Sequence, residues 1–344
     1  MNIPEGSEVV YVGCTAPARD VLETLLDRGV PIVEIVTINP ETARRNDVSG
    51  YASFAEVGDR YDIPVYYPET YSMTDADCEH VRGVDPDLLI VNGWQRLIPE
   101  EALEAATHGA IGNHGSAFGL PKGRGRSPLN WSLIEDRDRF LLSVIGLDPE
   151  ADAGGVLATR KFDITDYDTI ETLYYKVTIC MKEMLAEVLG PLLRGESVGE
   201  SQTGEATYYP KRNPADGEIH WGEGTREVYN LVRAVADPYP GAFTFADGDR
   251  VMIWDARPFS TDLASEARAG TIVEVFWTGD FVVATADGTL LVTDYEPVEG
   301  EWEPAVDERL ESRGDHDRVD GPEHRHNLTS STDDTEAAES GIDA

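Results

Sequence analysis

An α/β fold is what this sequence predicts: a Rossmann-like, doubly wound, mainly parallel sheet followed by a smaller β-rich domain. Three observations carry that expectation. Strand-like and helix-like stretches alternate through the N-terminal part, as in "SEVVYVG", "ARDVLETLLDRG" and "PIVEIVTI", and such alternation implies right-handed crossovers between parallel strands. The run "DPDLLIVNGW" is apolar without interruption, as a strand buried on both faces must be. Beyond a polar, Gly-rich stretch at 197–205 the pattern changes to short strands and turns.

In order, "SEVVYVG" reads as a strand and "ARDVLETLLDRG" as an amphipathic helix ending at Gly29. "PIVEIVTI" is a second strand, "SFAEVGDRYD" a helix, "IPVYYP" a third strand, and "DPDLLIVNGW" the central one. "GAIGNH" and "RFLLSVIGLD" extend the sheet. A long helix spans about Asp168 to Arg194, with Ile170, Leu173, Val177, Met181, Met184, Val188 and Leu192 on one buried face. The segment 197–205 reads as a linker. "TREVYNLVRAVAD" is a helix, and "PYPGAFTF", "RVMIWDARPF" and "GTIVEVFWTGDFVVATADGTLLVTDYEP" are strands with hairpin turns at "WTGDF" and "ADGTL". They predict an OB-like, partly open barrel. From Val306 apolar residues nearly vanish, which predicts a disordered acidic tail. The expected domains are therefore 1–200 and 205–305, with the tail at 306–344.

A chain of 344 residues suits about two domains. It is long enough to bury roughly 70–75% of its unfolded surface. No apolar run reaches the length of a membrane span, and the N-terminus lacks the basic and apolar regions of a signal peptide, so a cytoplasmic location is expected. Cys14, Cys78 and Cys180 are few and far apart, which fits neither a disulfide framework nor a zinc site. His316, His324 and His326 read as solvated tail residues, and no metal is expected.

The formal charge is −37, and only five of the 28 basic residues are lysine. Self-repulsion on that scale strains a compact state. Molar salt, with a screening length near 3 Å, relieves it. The composition predicts a halophilic protein, and it argues against a nucleic-acid partner.

The chemistry concentrates in "GAIGNHGSAFGLPKGRGRSPLNW", Gly109 to Trp131. A strand ending at His114 brings the imidazole to the carboxyl edge of the sheet, where open α/β folds bind ligands. Gly115, Gly119, Gly123 and Gly125 permit close backbone approach to a ligand. Arg124 and Arg126 offer forked donors. Pro128 suits a helix start with Ser127 as N-cap. In "LDPEADAGGVL", Asp148 and Asp152 lie in a loop after a strand, and a carboxylate reaching the imidazole would fix its tautomer. The first strand turn has one glycine where a dinucleotide fingerprint needs three, and neither a GxSxG elbow nor a GxxxxGK[ST] loop occurs. Nicotinamide and flavin are therefore rejected. The expected reaction is direct transfer onto a bound acceptor.

Together, "GAI..HGS...LP..RGR.PLNW", "ADAGGVLATR", "EATYYPKRNPADGEIHW" and "YNLVRAVADPYPGAFTF" resemble the folate-dependent formyltransferases across residues 8–300. The resemblance is closest to the sugar N-formyltransferases, with methionyl-tRNA formyltransferase a more distant relative. It implies transfer of a formyl group from 10-formyltetrahydrofolate to a primary amine, here of a nucleotide-linked amino sugar, without a metal. A tRNA acceptor, or a non-catalytic binding homologue, is the alternative. The family's Asn, His and Asp correspond to Asn113, His114 and Asp152. Folate contacts carry over to Asn92, Gly93 and Trp94, to Arg126, and to the loop from Asp148. One departure stands out. The family writes Asn-x-His-x-Ser, whereas Gly112 lies two before His114 and the asparagine is Asn113. Side chains alternate along a strand, so Asn113 joins His114 only through a bulge; otherwise backbone amides and His114 take over its role. A homodimer is left open, as is the second domain's part in substrate binding.

Overall fold

The computed structural model describes residues 1–314 except 197, 198, 264 and 265. The elements run β1 (Val9–Val12), α1 (Ala16–Asp27), β2 (Ile32–Val36), α2 (Pro40–Arg45), α3 (Ala55–Tyr61), β3 (Val65–Tyr66), α4 (Asp75–Val84), β4 (Leu88–Val91), α5 (Glu100–Leu103), β5 (Ala110–Ser116) and β6 (Arg124–Gly125). There follow α6 (Pro128–Ile134), β7 (Arg139–Gly146), β8 (Val156–Asp163), α7 (Ile170–Leu193) and β9 (Tyr208–Tyr209). The C-terminal part holds α8 (Thr225–Val235), β10 (Ala242–Ala246), β11 (Asp249–Ser260), β12 (Ile272–Val275), β13 (Phe281–Ala284) and β14 (Thr289–Pro297).

Seven strands form one sheet in the order β3-β2-β1-β4-β5-β7-β8. The first five are parallel, and β7 and β8 add antiparallel to β5. Every residue of β1 and β4 is buried, which explains their uninterrupted apolar runs. β1 and β4 are neighbours although the chain leaves β1 toward β2, so a crevice opens at their carboxyl ends. There the turns close on each other: a Cβ on Gly13 would lie 2.3 Å from the Asn92 carbonyl oxygen, and one on Gly93 would lie 2.1 Å from Thr15 Oγ1. β8, to which the sequence gives no strand signal, buries only Phe162. An edge strand with one face in water lacks the apolar pattern that identifies central strands.

Helix α7 begins at Thr169, whose hydroxyl accepts from the Thr172 amide in a capping box. The expected face is buried from Ile170 to Val188, joined by Cys180, Leu185 and Leu189, with Leu192 half-buried. Just before it, the buried Asp168 accepts from Thr165 N at 2.7 Å, Thr172 Oγ1 at 2.8 Å and Lys176 Nζ at 2.7 Å. Burial opposes the charge, but the bonds from Lys176, Thr165 and Thr172 outweigh it and hold the carboxyl below its ordinary range. Replacing Asp168 with Ala strands these donors and should lower unfolding stability by about 3 kcal/mol at neutral pH. The contribution is complete above the unfolded carboxylate's pKa of about 4 and fades as pH falls through the lower folded value. Urea titrations of both proteins should show the gap narrowing in acid, and an unchanged gap would reject the assignment.

The second domain is an antiparallel five-stranded sheet ordered β10-β11-β14-β13-β12. Its two edges are both bridged to one later segment: Phe245 of β10 pairs with Glu311, and Thr271, just before β12, pairs with Arg309. Residues 306–314, expected in the tail, thus close the barrel instead. Leu310 is their single apolar anchor, 1% exposed, and one side chain is too faint a signal to read from composition. Residues 315–344, including His316, His324 and His326, lie outside the described residues. Among the described residues no helix is long and apolar enough to cross a membrane.

The domains meet through α6 and α8, where Asn130 Nδ2 donates to the Ala234 carbonyl at 2.7 Å. Buried Arg233 donates to the carbonyls of Thr165 and Asp168. Trp131 stacks on Tyr209 and donates to the Pro210 carbonyl at 3.1 Å.

Candidate active site

His114 lies near the end of β5, backbone-paired with Ser143 of β7. Its Nδ1 is 3.2 Å from Asp152 Oδ1, and its Nε2 is 3.0 Å from the Gly123 carbonyl oxygen. The ring is 9% exposed. A carboxylate and a carbonyl are both acceptors, so the doubly protonated ring is the form that satisfies both contacts. To accept a proton at Nε2, the ring must first give up the proton it shares with the Gly123 carbonyl and exchange that carbonyl for a substrate atom.

Asp152 sits between β7 and β8 in a left-handed conformation, φ +56°, a region that costs a non-glycine residue about 1–2 kcal/mol. Its second oxygen, Oδ2, accepts from the Gly125 amide at 3.0 Å. Its backbone carbonyl accepts from Gln202 Nε2 at 2.7 Å. β6 delivers these contacts because it pairs with β9, Arg124 with Tyr208 and Gly125 with Tyr209. Gly125 has φ +92°, and a Cβ there would lie 2.5 Å from the Tyr209 carbonyl oxygen. Gly125→Ala should therefore displace β6 and the amide that holds Asp152. A shift near 1 Å can cost about 100-fold in rate. Steady-state kinetics on a variant with unchanged circular dichroism would measure it, and full activity would contradict the geometry.

Ser127, expected as an N-cap, precedes α6 but makes no cap hydrogen bond, because its backbone is left-handed at φ +50°. A capping hydroxyl reaches the first-turn amides from extended backbone. Of the segment 197–205, expected to be a linker, residues 199–205 are described and run back along the site. Glu200 exchanges backbone hydrogen bonds with Val156 at 2.8 and 2.9 Å. Gln202 is a site residue that sequence reasoning missed. Its only signal is that a strand follows within six residues, which requires the segment to return to the sheet.

The structure brings His114 and Asp152 together, and Asn113 does not join them. The β5–β7 register runs unshifted from Ile111 opposite Gly146 to Ser116 opposite Leu141, so alternation places Asn113 on the other face. At Gly112, on the His114 face, a Cβ would lie 2.8 Å from Leu147 Cδ2. Leu147 occupies the space an asparagine side chain would need there.

Asn92 is buried and donates through Nδ2 to Tyr11 Oη at 2.9 Å. Gly93 has φ +67°. Trp94 meets Tyr71 edge to face, with centroids 4.7 Å apart, and its buried Nε1 has no acceptor among the described residues. Arg126 and Arg96 each donate to the Gln95 carbonyl at 3.2 Å, and Arg96 also lies 4.9 Å over the Tyr71 ring. Asp148 is exposed and accepts from the Glu150 amide. Cys14, at the crevice, donates to the Gly93 carbonyl; burial pushes its thiol up to about 11, so it is no thiolate nucleophile at neutral pH. Among the described residues no three His, Cys, Asp or Glu side chains gather as a metal set.

A transferase of an acyl-type group fits a histidine–carboxylate pair at the rim of an open sheet without a covalent nucleophile. The formyl transferase family model matches residues 9–189, and the formyl transferase C-terminal domain model matches residues 211–307. The chain belongs to the formyl transferase family. HypX from Aquifex aeolicus, solved in complex with tetrahydrofolic acid, is 18% identical with a TM-score of 0.61, covering 89% of this chain and 46% of its own. This chain thus spans a little under half the length of HypX. An N-formyltransferase from Helicobacter canadensis, solved with folinic acid and dTDP-3-aminofucose, is 14% identical with a TM-score of 0.61, over 84% of this chain and all of its own. Methionyl-tRNA formyltransferase from Clostridium thermocellum is 18% identical with a TM-score of 0.56, over 86% of this chain and all of its own. At these identities the likeness is one of fold.

Proposed function

We propose that this formyl transferase moves the formyl group of 10-formyltetrahydrofolate onto the primary amine of a nucleotide-linked amino sugar. The observation that carries the reading is the His114–Asp152 pair, 3.2 Å apart at the carboxyl edge of the sheet. In the reaction a C–N bond forms between the amine and the formyl carbon, the bond from that carbon to N10 of the folate breaks, and a proton leaves the amine for N10. His114 is the group able to relay that proton, a role worth about 10²–10⁴-fold. Asp152 fixes the ring through Nδ1, and Nε2 meets the reacting atoms once substrate takes the place of the Gly123 carbonyl. With Leu147 filling the space beside Gly112, the donor toward the developing oxyanion is Nε2–H after it has taken up the amine's proton and before that proton passes to N10.

The residues present fit a folate at one point in particular. The buried indole N–H of Trp94, beside the crevice, is a donor without an acceptor among the described residues, and a pterin ring brings acceptors. The acceptor class rests on charge. With 65 acidic against 28 basic residues the chain offers few phosphate contacts to a tRNA, and such contacts lose most of their value in molar salt, while a guanidinium such as that of Arg96, beside Gln95, suits one compact diphosphate. The test offers 10-formyltetrahydrofolate, in molar KCl, with a panel of nucleotide-linked amino sugars and with methionyl-tRNA. Formylation of a sugar amine alone is expected; formylation of the tRNA alone would overturn the reading.

A further inference from the structure

We infer that Arg124 and Gln202 form a clamp that positions Asp152 for its work on His114, an inference that rests on the reaction proposed above. Asp152 is the weak point of the pair. It lies on an irregular loop in a left-handed backbone conformation, and its side chain is 22% exposed. Its own loop supplies a backbone turn bond, from the Ala153 amide to the Glu150 carbonyl at 3.2 Å, and the bonds to its Oδ2 and to its carbonyl come from two other segments of the chain.

Gln202 spans the loop with one amide group. Its Nε2 donates to the Asp152 carbonyl at 2.7 Å and to the Gly154 carbonyl at 2.8 Å, so both amide protons are spent on the two sides of the turn. Its Oε1 accepts twice from Arg124, from Nε at 3.2 Å and Nη2 at 2.8 Å. Arg124 is itself 7% exposed and directs its remaining nitrogen, Nη1, to Tyr208 Oη at 3.2 Å and Glu150 Oε1 at 3.3 Å. The guanidinium polarises the amide, and a polarised amide donates more strongly to the carbonyls.

Three consecutive residues thereby grip the pair at different points. The Gly123 carbonyl holds His114 Nε2, the Arg124 side chain holds Gln202, and the Gly125 amide holds Asp152 Oδ2. Lengthening any one contact moves the carboxylate relative to the ring. Gln202 touches neither the ring nor the carboxylate, so it is a positioning residue and not a catalytic one.

The experiment compares Gln202→Ala and Gln202→Glu with the parent chain, alone and in an Asp152→Ala background. Gln202→Ala should lower kcat by about 10–100-fold, the cost of a misplacement near 1 Å, with KM for donor and acceptor within twofold. Gln202→Glu should be at least as damaging, because an ionised carboxylate accepts from Arg124 but cannot donate to the two carbonyls. In the Asp152→Ala background, loss of Gln202 should cost nothing further. A merely structural role would instead cost the same in both backgrounds and would overturn the clamp. Proton NMR of His114 gives a readout free of substrate: the low-field Nδ1–H resonance should be present in the parent and lost in Gln202→Ala with the fold retained. Persistence of that resonance overturns the clamp. Failure of the parent to formylate any acceptor, with the resonance lost in the variant, overturns the reaction and leaves the clamp standing.

Discussion

Asp152→Asn should lower kcat by about 10²–10⁴-fold while the protein folds and binds its substrates as before. The substitution is isosteric, so packing is untouched, and the loss follows from hydrogen-bond polarity. Both carboxylate oxygens accept: Oδ1 faces His114 Nδ1 at 3.2 Å, and Oδ2 takes the Gly125 amide at 3.0 Å. An asparagine has one acceptor and one donor at its tip. If its oxygen faces Gly125, its NH2 group meets the imidazole N–H, and the ring must turn or change tautomer. If its oxygen faces the ring, the NH2 group meets the Gly125 amide and pushes β6 away. Neither orientation keeps the pair. His114→Ala should fall into the same range, because the relay itself is removed, and the double variant should lose little more than either single one. KM should stay within a few-fold in all three, since neither side chain is asked to hold the bulk of either substrate. Retention of more than a tenth of parental kcat in Asp152→Asn would remove this pair from the mechanism.

How much of this was legible follows from what each residue needs from its neighbours. Central strands such as β1 and β4 are buried on both faces, so their apolar runs announce them. Helix α7 has a continuous 3.6-residue period because one face meets the sheet domain over its whole length. His114 was visible because a lone imidazole at a strand end, followed by a glycine-rich loop, is unusual in so acidic a chain. Gln202 and the Gly123 carbonyl were not. A backbone carbonyl has no letter in the sequence, and Gln202 acts across 50 residues of chain through a contact that only the return of β9 to β6 creates. Residues 309–311 were hidden for the same reason. Their role is two backbone bridges and one leucine, and backbone pairing leaves composition unmarked. The faceless asparagine is the reverse case. The spacing of Gly112, Asn113 and His114 posed the problem, and only the unshifted β5–β7 register and the place of Leu147 answered it.

Lowering KCl from molar to about 0.01 M should reduce the thermal midpoint by at least about 10 °C, and activity should fall with it. The chain carries 65 acidic and 28 basic residues. The ion pairs it does form are mostly exposed, such as Arg160 with Glu183 and Arg226 with Asp166, and exposed pairs contribute only about 0–1 kcal/mol each. They cannot offset the repulsion of the excess carboxylates. That repulsion reaches about 30 Å at 0.01 M salt and about 3 Å at 1 M. At low salt it acts across a whole domain, and in molar salt hardly beyond neighbouring side chains. A loss of only a few kcal/mol, at about 2–4 °C per kcal/mol for a domain of this size, produces the expected shift. Sodium and potassium chloride should act alike if screening is the cause, and an uncharged osmolyte at equal osmolality should not substitute. A midpoint independent of salt over this range would show that the fold tolerates its charge unscreened, and the acidic composition would then need another explanation.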